Sequence, residues 1–263
     1  SRIVGKELSV LCPVSESADP HEWEPSADEI TLFQSAGLIL LHGAELEAWT
    51  AKASLPVART VDCSAGLKDS FVEIVHPGHS HGAEGPGTHT HVDPHVWFDP
   101  TLAKRQAKAI HDAVVAKWPE VADKAKLGYE ALAADFDALD KRWSALRERL
   151  AAAKHYSAAE AFAYLAKRYG FSFREHLHVA PRGALSKEAL DHLAEHVKDE
   201  GPKILWWETE PSAEIRQALE ERFAFKHVVV RSGESAGIVT GADFFEIHGK
   251  NLDRLAAALG GGG

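Results

Sequence analysis

Histidine dominates the chemistry this chain can offer. An isolated Asp19-Pro20-His21 is followed by a histidine-dense stretch that runs from His76 to His95. It contains His76, His79 and His81, then His89-Thr90-His91, then Asp93-Pro94-His95-Val96-Trp97-Phe98-Asp99-Pro100. Neutral imidazole donates a lone pair near pH 7 without first losing a proton, which makes it the commonest side-chain ligand for zinc and neighbouring metals. With 16 histidines and 2 cysteines, the expected metal site uses nitrogen and oxygen donors, not sulfur. Cys12 and Cys63 are too few for a disulfide framework; two free thiols and one bridge both remain open.

The rest of the composition sets the scene for that site. A length of 263 residues is enough for one large domain or two lobes, and 45% hydrophobic with 26% charged residues fits a globular chain. A formal charge of −10 leaves no basic surplus to neutralise phosphates, so nucleic acid is excluded as a partner. No run of eighteen apolar residues is present to span a membrane. The opening at Ser1-Arg2-Ile3-Val4 reads as that of a processed chain.

The elements that must position the histidines read as alternating α/β. Strands are expected at Glu7–Leu11, Leu38–Leu41, Val57–Val61, Ile204–Trp207 and His227–Val230. Helices are expected at Asp28–Ala36 with Ser26 as N-cap, Leu46–Lys52, Thr101–Trp118, Glu160–Tyr169, Lys187–Lys198, Ala213–Arg222 and Phe245–Leu259. Residues 77–94, rich in Gly, Pro, His and Thr without an apolar period, read as a mobile loop. After Pro119 comes a longer helix in which Leu132, Phe136, Leu139, Trp143, Leu146 and Leu150 recur at spacings of four and three. The drawing is α/β in two lobes with parallel sheets, linked by one long backbone helix. Residues 1–118 form the N-terminal lobe with a His-rich loop at 76–94, 119–154 the linking helix and 155–263 the C-terminal lobe.

Asp19-Pro20-His21-Glu22-Trp23-Glu24-Pro25, Ala44-Glu45-Leu46-Glu47-Ala48-Trp49 and Asp93-Pro94-His95-Val96-Trp97-Phe98-Asp99-Pro100 resemble the extracytoplasmic solute-binding proteins of bacterial zinc and manganese ABC importers. Ala161 to Gly170 and the helix around Asn251-Leu252 resemble later segments of the same family, in the same order. The resemblance implies a metal held in the cleft between two lobes, and a His-rich loop is typical of its zinc members. It implies His21 and His95 as the first two ligands. The third ligand position of the family falls on Ala159 and the fourth on Arg231, neither of which can coordinate a cation. The missing donors are therefore expected nearby, from Glu160, His178 and Glu208. A register one residue along would put Glu160 where manganese members carry their carboxylate, so Mn2+ is the alternative to Zn2+. An engineered or degenerate relative with a weakened site is the other reading.

Carried further, the resemblance implies a monomer in the periplasm or outside the cell, with a membrane tether in its precursor. Its partners are the membrane permease subunits of an ABC importer, and a zinc chaperone is admitted. The stiff linking helix predicts ordering of loops on metal binding in place of wide hinge closure. An enzyme is the rival class. The chain lacks a His-Glu-x-x-His helix and a Gly-x-Ser-x-Gly elbow, and Gly85-Pro86-Gly87 does not lie between strand and helix. A surface adhesin is a third class on which the residues are silent.

Overall fold

The computed structural model describes residues 2–15, 18–76, 89–234 and 243–260, and the chain divides into two compact units, Ser1–Ala138 and Leu139–Gly263. His79 and His81 lie outside the described residues.

In the first unit, α1 (Ala27–Ser35) starts at a capping box. The Ser26 backbone N–H donates to Glu29 Oε2 at 2.7 Å and the Glu29 N–H donates back to Ser26 Oγ at 3.3 Å, so two of the helix's orphan donors are satisfied together. β1 (Ile39–Leu41) pairs in parallel with β2 (Thr60–Asp62). β3 (Glu73–His76) pairs antiparallel with β4 (His89–Val92), with Ile74 opposite His91. α2 (Pro100–Lys117) begins with Pro at its first position behind Asp99, whose carboxylate accepts the Thr101 N–H at 2.8 Å. α3 (Ala122–Ser144) carries the chain into the second unit.

Gly128 of α3 faces the backbone of the N-terminal segment. A Cβ there would lie 2.4 Å from the Ile3 carbonyl oxygen and 2.7 Å from that of Arg2, and backbone cannot yield as a flexible side chain can. Because the overlap is with backbone, Gly128→Ala is expected to lose about 2–3 kcal/mol, the upper part of the overpacking range, against about 1 kcal/mol gained in helix propensity. A thermal melt should fall by several degrees; an unchanged or raised Tm would show that the N-terminal segment is not held there.

The second unit is built on one parallel sheet. α4 (Arg147–Ala152) leads into β5 (His155–Ser157), followed by α5 (Ala163–Tyr169), β6 (Phe173–His176), α6 (Lys187–His196), β7 (Lys203–Trp207), α7 (Ala213–Phe223), β8 (Phe225–Val229) and α8 (Phe244–Ala258). The strand order is β6-β5-β7-β8, every pair parallel. All five residues of β7 are buried, as a strand covered on both faces requires. Trp206 and Trp207 point to opposite faces and anchor separate clusters. Trp206 lies among Phe162, Phe171 and Phe173, and Trp207 among Tyr156, Leu205, Leu219 and Val229.

Several elements differ from the sequence reading. Glu7–Leu11 forms no strand, and Val10 and Leu11 are 59% and 67% exposed; β-prone residues make a strand only where a neighbour accepts their backbone bonds. The helix expected at Leu46–Lys52 is a single 3-10 turn, Ala48–Ala51. Val57–Val61 opens as a 3-10 turn, Val57–Arg59, before β2. His89–Val92 lies in a ladder, not a loop, because Thr90 and Val92 suit a pleat and β3 supplies the pairing. The long helix ends at Ser144 and resumes as α4 after Leu146, with Phe136, Leu139, Trp143, Leu146 and Leu150 buried throughout. β5 and β6 were not anticipated.

Candidate metal centre

The two Asp-Pro-His segments of the first unit share one local construction. Asp19 Oδ1 accepts the His21 backbone N–H at 2.9 Å, and Asp93 Oδ1 accepts that of His95 at 2.9 Å. Each carboxylate thus closes a turn two residues long and aims the histidine that follows proline. The rings end with centroids 5.2 Å apart, and each offers a nitrogen within 4.8 Å of the other's. His21 is exposed, while His95 is 7% exposed and Asp93 fully buried.

Asp93 does more than close its turn. Its Oδ1 also accepts from the His95 ring at Nδ1, 2.6 Å away. A carboxylate can only accept here, so Nδ1 carries the proton and Nε2 is left with its lone pair. A histidine that ligates through one nitrogen while a carboxylate holds the other is oriented and made more basic.

The Ala44 to Trp49 segment holds this turn in place. Glu47 accepts the backbone N–H groups of His42 (2.6 Å) and Gly43 (3.0 Å), and Glu45 accepts that of Val92 at 3.0 Å. Gly43, Ala44 and Glu45 all have positive φ (81°, 51° and 65°), a strained run that these carboxylate bonds stabilise. Burial is the main influence on the Glu47 carboxyl and raises its pKa against those two backbone donors. His42 Nε2 donates to the Pro94 carbonyl at 2.9 Å, leaving Nδ1 to accept from Gln106 at 3.2 Å. Gln106 also reaches Ser64 Oγ at 2.8 Å. His42 is therefore a buttress beneath the His95 turn. His21 is steadied from its own side by Trp23, whose ring meets the buried Trp49 edge-on at 5.7 Å.

Among the described residues, the donor group that includes these two rings contains no cysteine. Cys12 and Cys63 are both free, and burial, with Asp62 and Glu47 nearby, pushes the Cys63 thiol up to about 12.

In the second unit, the donors expected from sequence stand at the carboxyl ends of the parallel strands, where open α/β sheets gather their ligand groups. Glu160 follows β5, His178 follows β6 and Glu208 follows β7. Glu160 and His178 are brought together at 3.6 Å, with the His178 side chain 66% exposed and that of Glu160 25% exposed. Glu208 lies half-buried in the bend after β7. At the matching end of β8, Asn251 of α8 clamps the backbone of Arg231, accepting its N–H at 3.0 Å and donating to its carbonyl at 2.9 Å. Gly233, with φ of 86°, then turns the chain into the half-buried Glu234. Glu234 was missed in the sequence, although it is the first acidic side chain after β8. His42 was missed because nothing in the sequence links it to Pro94.

A family model described as the periplasmic component A of zinc-uptake complexes matches residues 1–258. The chain belongs to that family. It is 25% identical to the high-affinity zinc uptake system protein ZnuA of Bacillus subtilis, over 96% of this chain and 81% of ZnuA. It is 27% identical to the zinc-binding lipoprotein AdcA of Streptococcus pneumoniae, over 97% of this chain but 52% of AdcA. Thus the chain spans about half the length of its AdcA relatives. Among solved structures, the metal-dependent lipoprotein YcdH of B. subtilis superposes with a TM-score of 0.81 at 24% identity, covering 97% of this chain and 92% of YcdH. The Zn(II)-bound ZnuA-like domain of S. pneumoniae AdcA gives 0.78 at 22% identity, covering 98% and 93%. These likenesses show the two-lobe solute-binding fold. The zinc-uptake component A family comprises transport proteins and not enzymes. Among the described residues no helix is long and apolar enough to cross a membrane.

Proposed function

We propose that this chain captures Zn2+ outside the cytoplasmic membrane, in an interlobe cleft, and delivers it as a monomer to the membrane permease subunits of an ABC importer. The observation that carries this reading is the His95 ring, fixed through Nδ1 by buried Asp93 with Nε2 left to donate, beside the ring of His21. Two imidazoles favour zinc over manganese. Zinc asks for about four donors at ~2.0–2.2 Å. We assign the third to Glu234, whose approach from β8 is fixed by the Asn251 clamp on Arg231. The fourth falls to water or to one of the other groups on the same sheet edge, Glu160, His178 or Glu208. In this set Ala159 is passed over, and Arg231 serves through its backbone.

The names of the relatives support the cargo, since ZnuA and AdcA are described by zinc uptake and zinc binding. The lipoprotein among them supports a membrane tether in the precursor. Calorimetric titration of metal-stripped protein with Zn2+ tests the reading. One tight site per chain, lost when His21 and His95 are both replaced by alanine, is the expected result. Weak binding at many sites, unchanged by that double replacement, would overturn it.

A further inference from the structure

α6 presents a second pair of imidazoles. His192 and His196 lie four residues apart, which puts both on one face of the helix, and their ring centroids are 5.2 Å apart at an angle of 46°. Both are exposed. Nδ1 of His196 stands 3.8 Å from Glu175 Oε2 on the neighbouring strand β6. Two imidazoles and a carboxylate are the donor types that zinc, copper and nickel accept. His196 is also the last residue of α6, where the helix carbonyls give a partial negative charge that favours a cation.

We infer that His192, His196 and Glu175 form a second, surface site for a divalent transition metal, weaker than the His21–His95 centre and independent of it. The helix fixes the spacing of the two backbones; the donor atoms of His192, His196 and Glu175 do not all lie within 4.8 Å of one another as they stand, so the exposed side chains turn inward to share an ion, with water filling the remaining positions. The nearby carboxylate of Asp191 is committed elsewhere, to Lys187 at 3.3 Å and Arg222 at 3.4 Å. Weak affinity follows from exposure, because among the described residues no buried group holds either ring as Asp93 holds His95.

The test uses the full chain carrying His21→Ala and His95→Ala, with its histidines isotope-labelled, titrated with Zn2+ alone and followed by NMR of each imidazole. The His192 and His196 signals are expected to shift together along one curve that saturates. His192→Ala should weaken the His196 response at least tenfold, and Glu175→Gln should weaken it to a lesser degree. These exposed substitutions leave the core untouched, and loop histidines report on their own signals. Two signals that move along separate curves, or a His196 response unchanged in His192→Ala, would overturn the proposal.

Discussion

Replacing His95 by alanine is expected to weaken Zn2+ affinity by more than about 100-fold, with the fold intact. Of the proposed ligands, His95 is the one whose geometry is most completely specified. Its backbone is tied to Asp93, its ring proton is fixed on Nδ1 by the same carboxylate, and its peptide is braced from below by the His42 bond to Pro94. Loss of an outer partner alone typically weakens metal binding 10–100-fold, so loss of the ligand itself must exceed that. Asp93→Asn separates the two contributions. The amide can still accept the backbone bond, but it supplies no negative charge to the ring, and a fall of roughly 10–100-fold is expected. Competition against a chromophoric chelator measures both variants, with circular dichroism melts as the control for folding. If His95→Ala held zinc as tightly as the parent, the assignment of His95 would be wrong.

Acid should destabilise the second unit well before its carboxylates are protonated. Trp206 and Trp207 each donate an indole N–H to a histidine on an adjacent strand, Trp206 to His155 Nδ1 at 3.1 Å and Trp207 to His227 Nδ1 at 2.8 Å. Both bonds need a neutral imidazole. Burial is the main cause that holds His227 down to about 4, with Arg216 adding to it, and burial likewise lowers His155 against the opposing bond to the Leu150 carbonyl. His248, wholly buried in α8, is held by burial at about 3. Unfolded, each would titrate near 6.5. Between the folded and unfolded values the unfolded chain binds more protons, so stability is full above about pH 6.5 and falls as pH drops toward 4. His227 alone, moved from 6.5 to about 4, contributes roughly 3 kcal/mol to this loss by pH 4. Urea unfolding of metal-stripped protein at pH 7.5 and 4.5 should show the difference. His227→Gln, which keeps an acceptor for Trp207 but cannot titrate, should flatten part of it. Equal stability of the parent at both pH values would refute the argument.

The sequence carried the large elements well and the small ones poorly. α2 was readable because Asp99-Pro100 marks its start and its apolar spacing persists for several turns. β7 was readable as a short apolar run covered on both faces. β5, His155-Tyr156-Ser157, has three residues and no apolar alternation, so it exists only because β6 and β7 flank it. Glu7–Leu11 fails for the opposite reason, since its composition suits a strand that nothing pairs with.

The candidate centre divides along the same line. His21 and His95 are legible because Asp-Pro-His is a local device whose bonds close within two residues. His42 acts across 52 residues of sequence separation, and local pattern carries no trace of that. Glu234, the proposed third ligand, was hidden because the family resemblance puts the fourth position on Arg231, at the strand end. Arg231 and Ser232 occupy that stretch, and Gly233 turns the chain before the carboxylate appears.

His21 and His95 also differ in how they meet solvent, one exposed and the other almost wholly covered. With zinc between them, the two bonds are unequal in the order of exchange. On the proposed assignment, an arriving ion would exchange its first water for His21 and only then reach the recessed nitrogen. A competing chelator, or a donor on the proposed importer, would displace His21 first, while His95 would keep hold until the replacement bond had formed. Under the proposed function, handover would then proceed stepwise, without the ion ever being stripped bare.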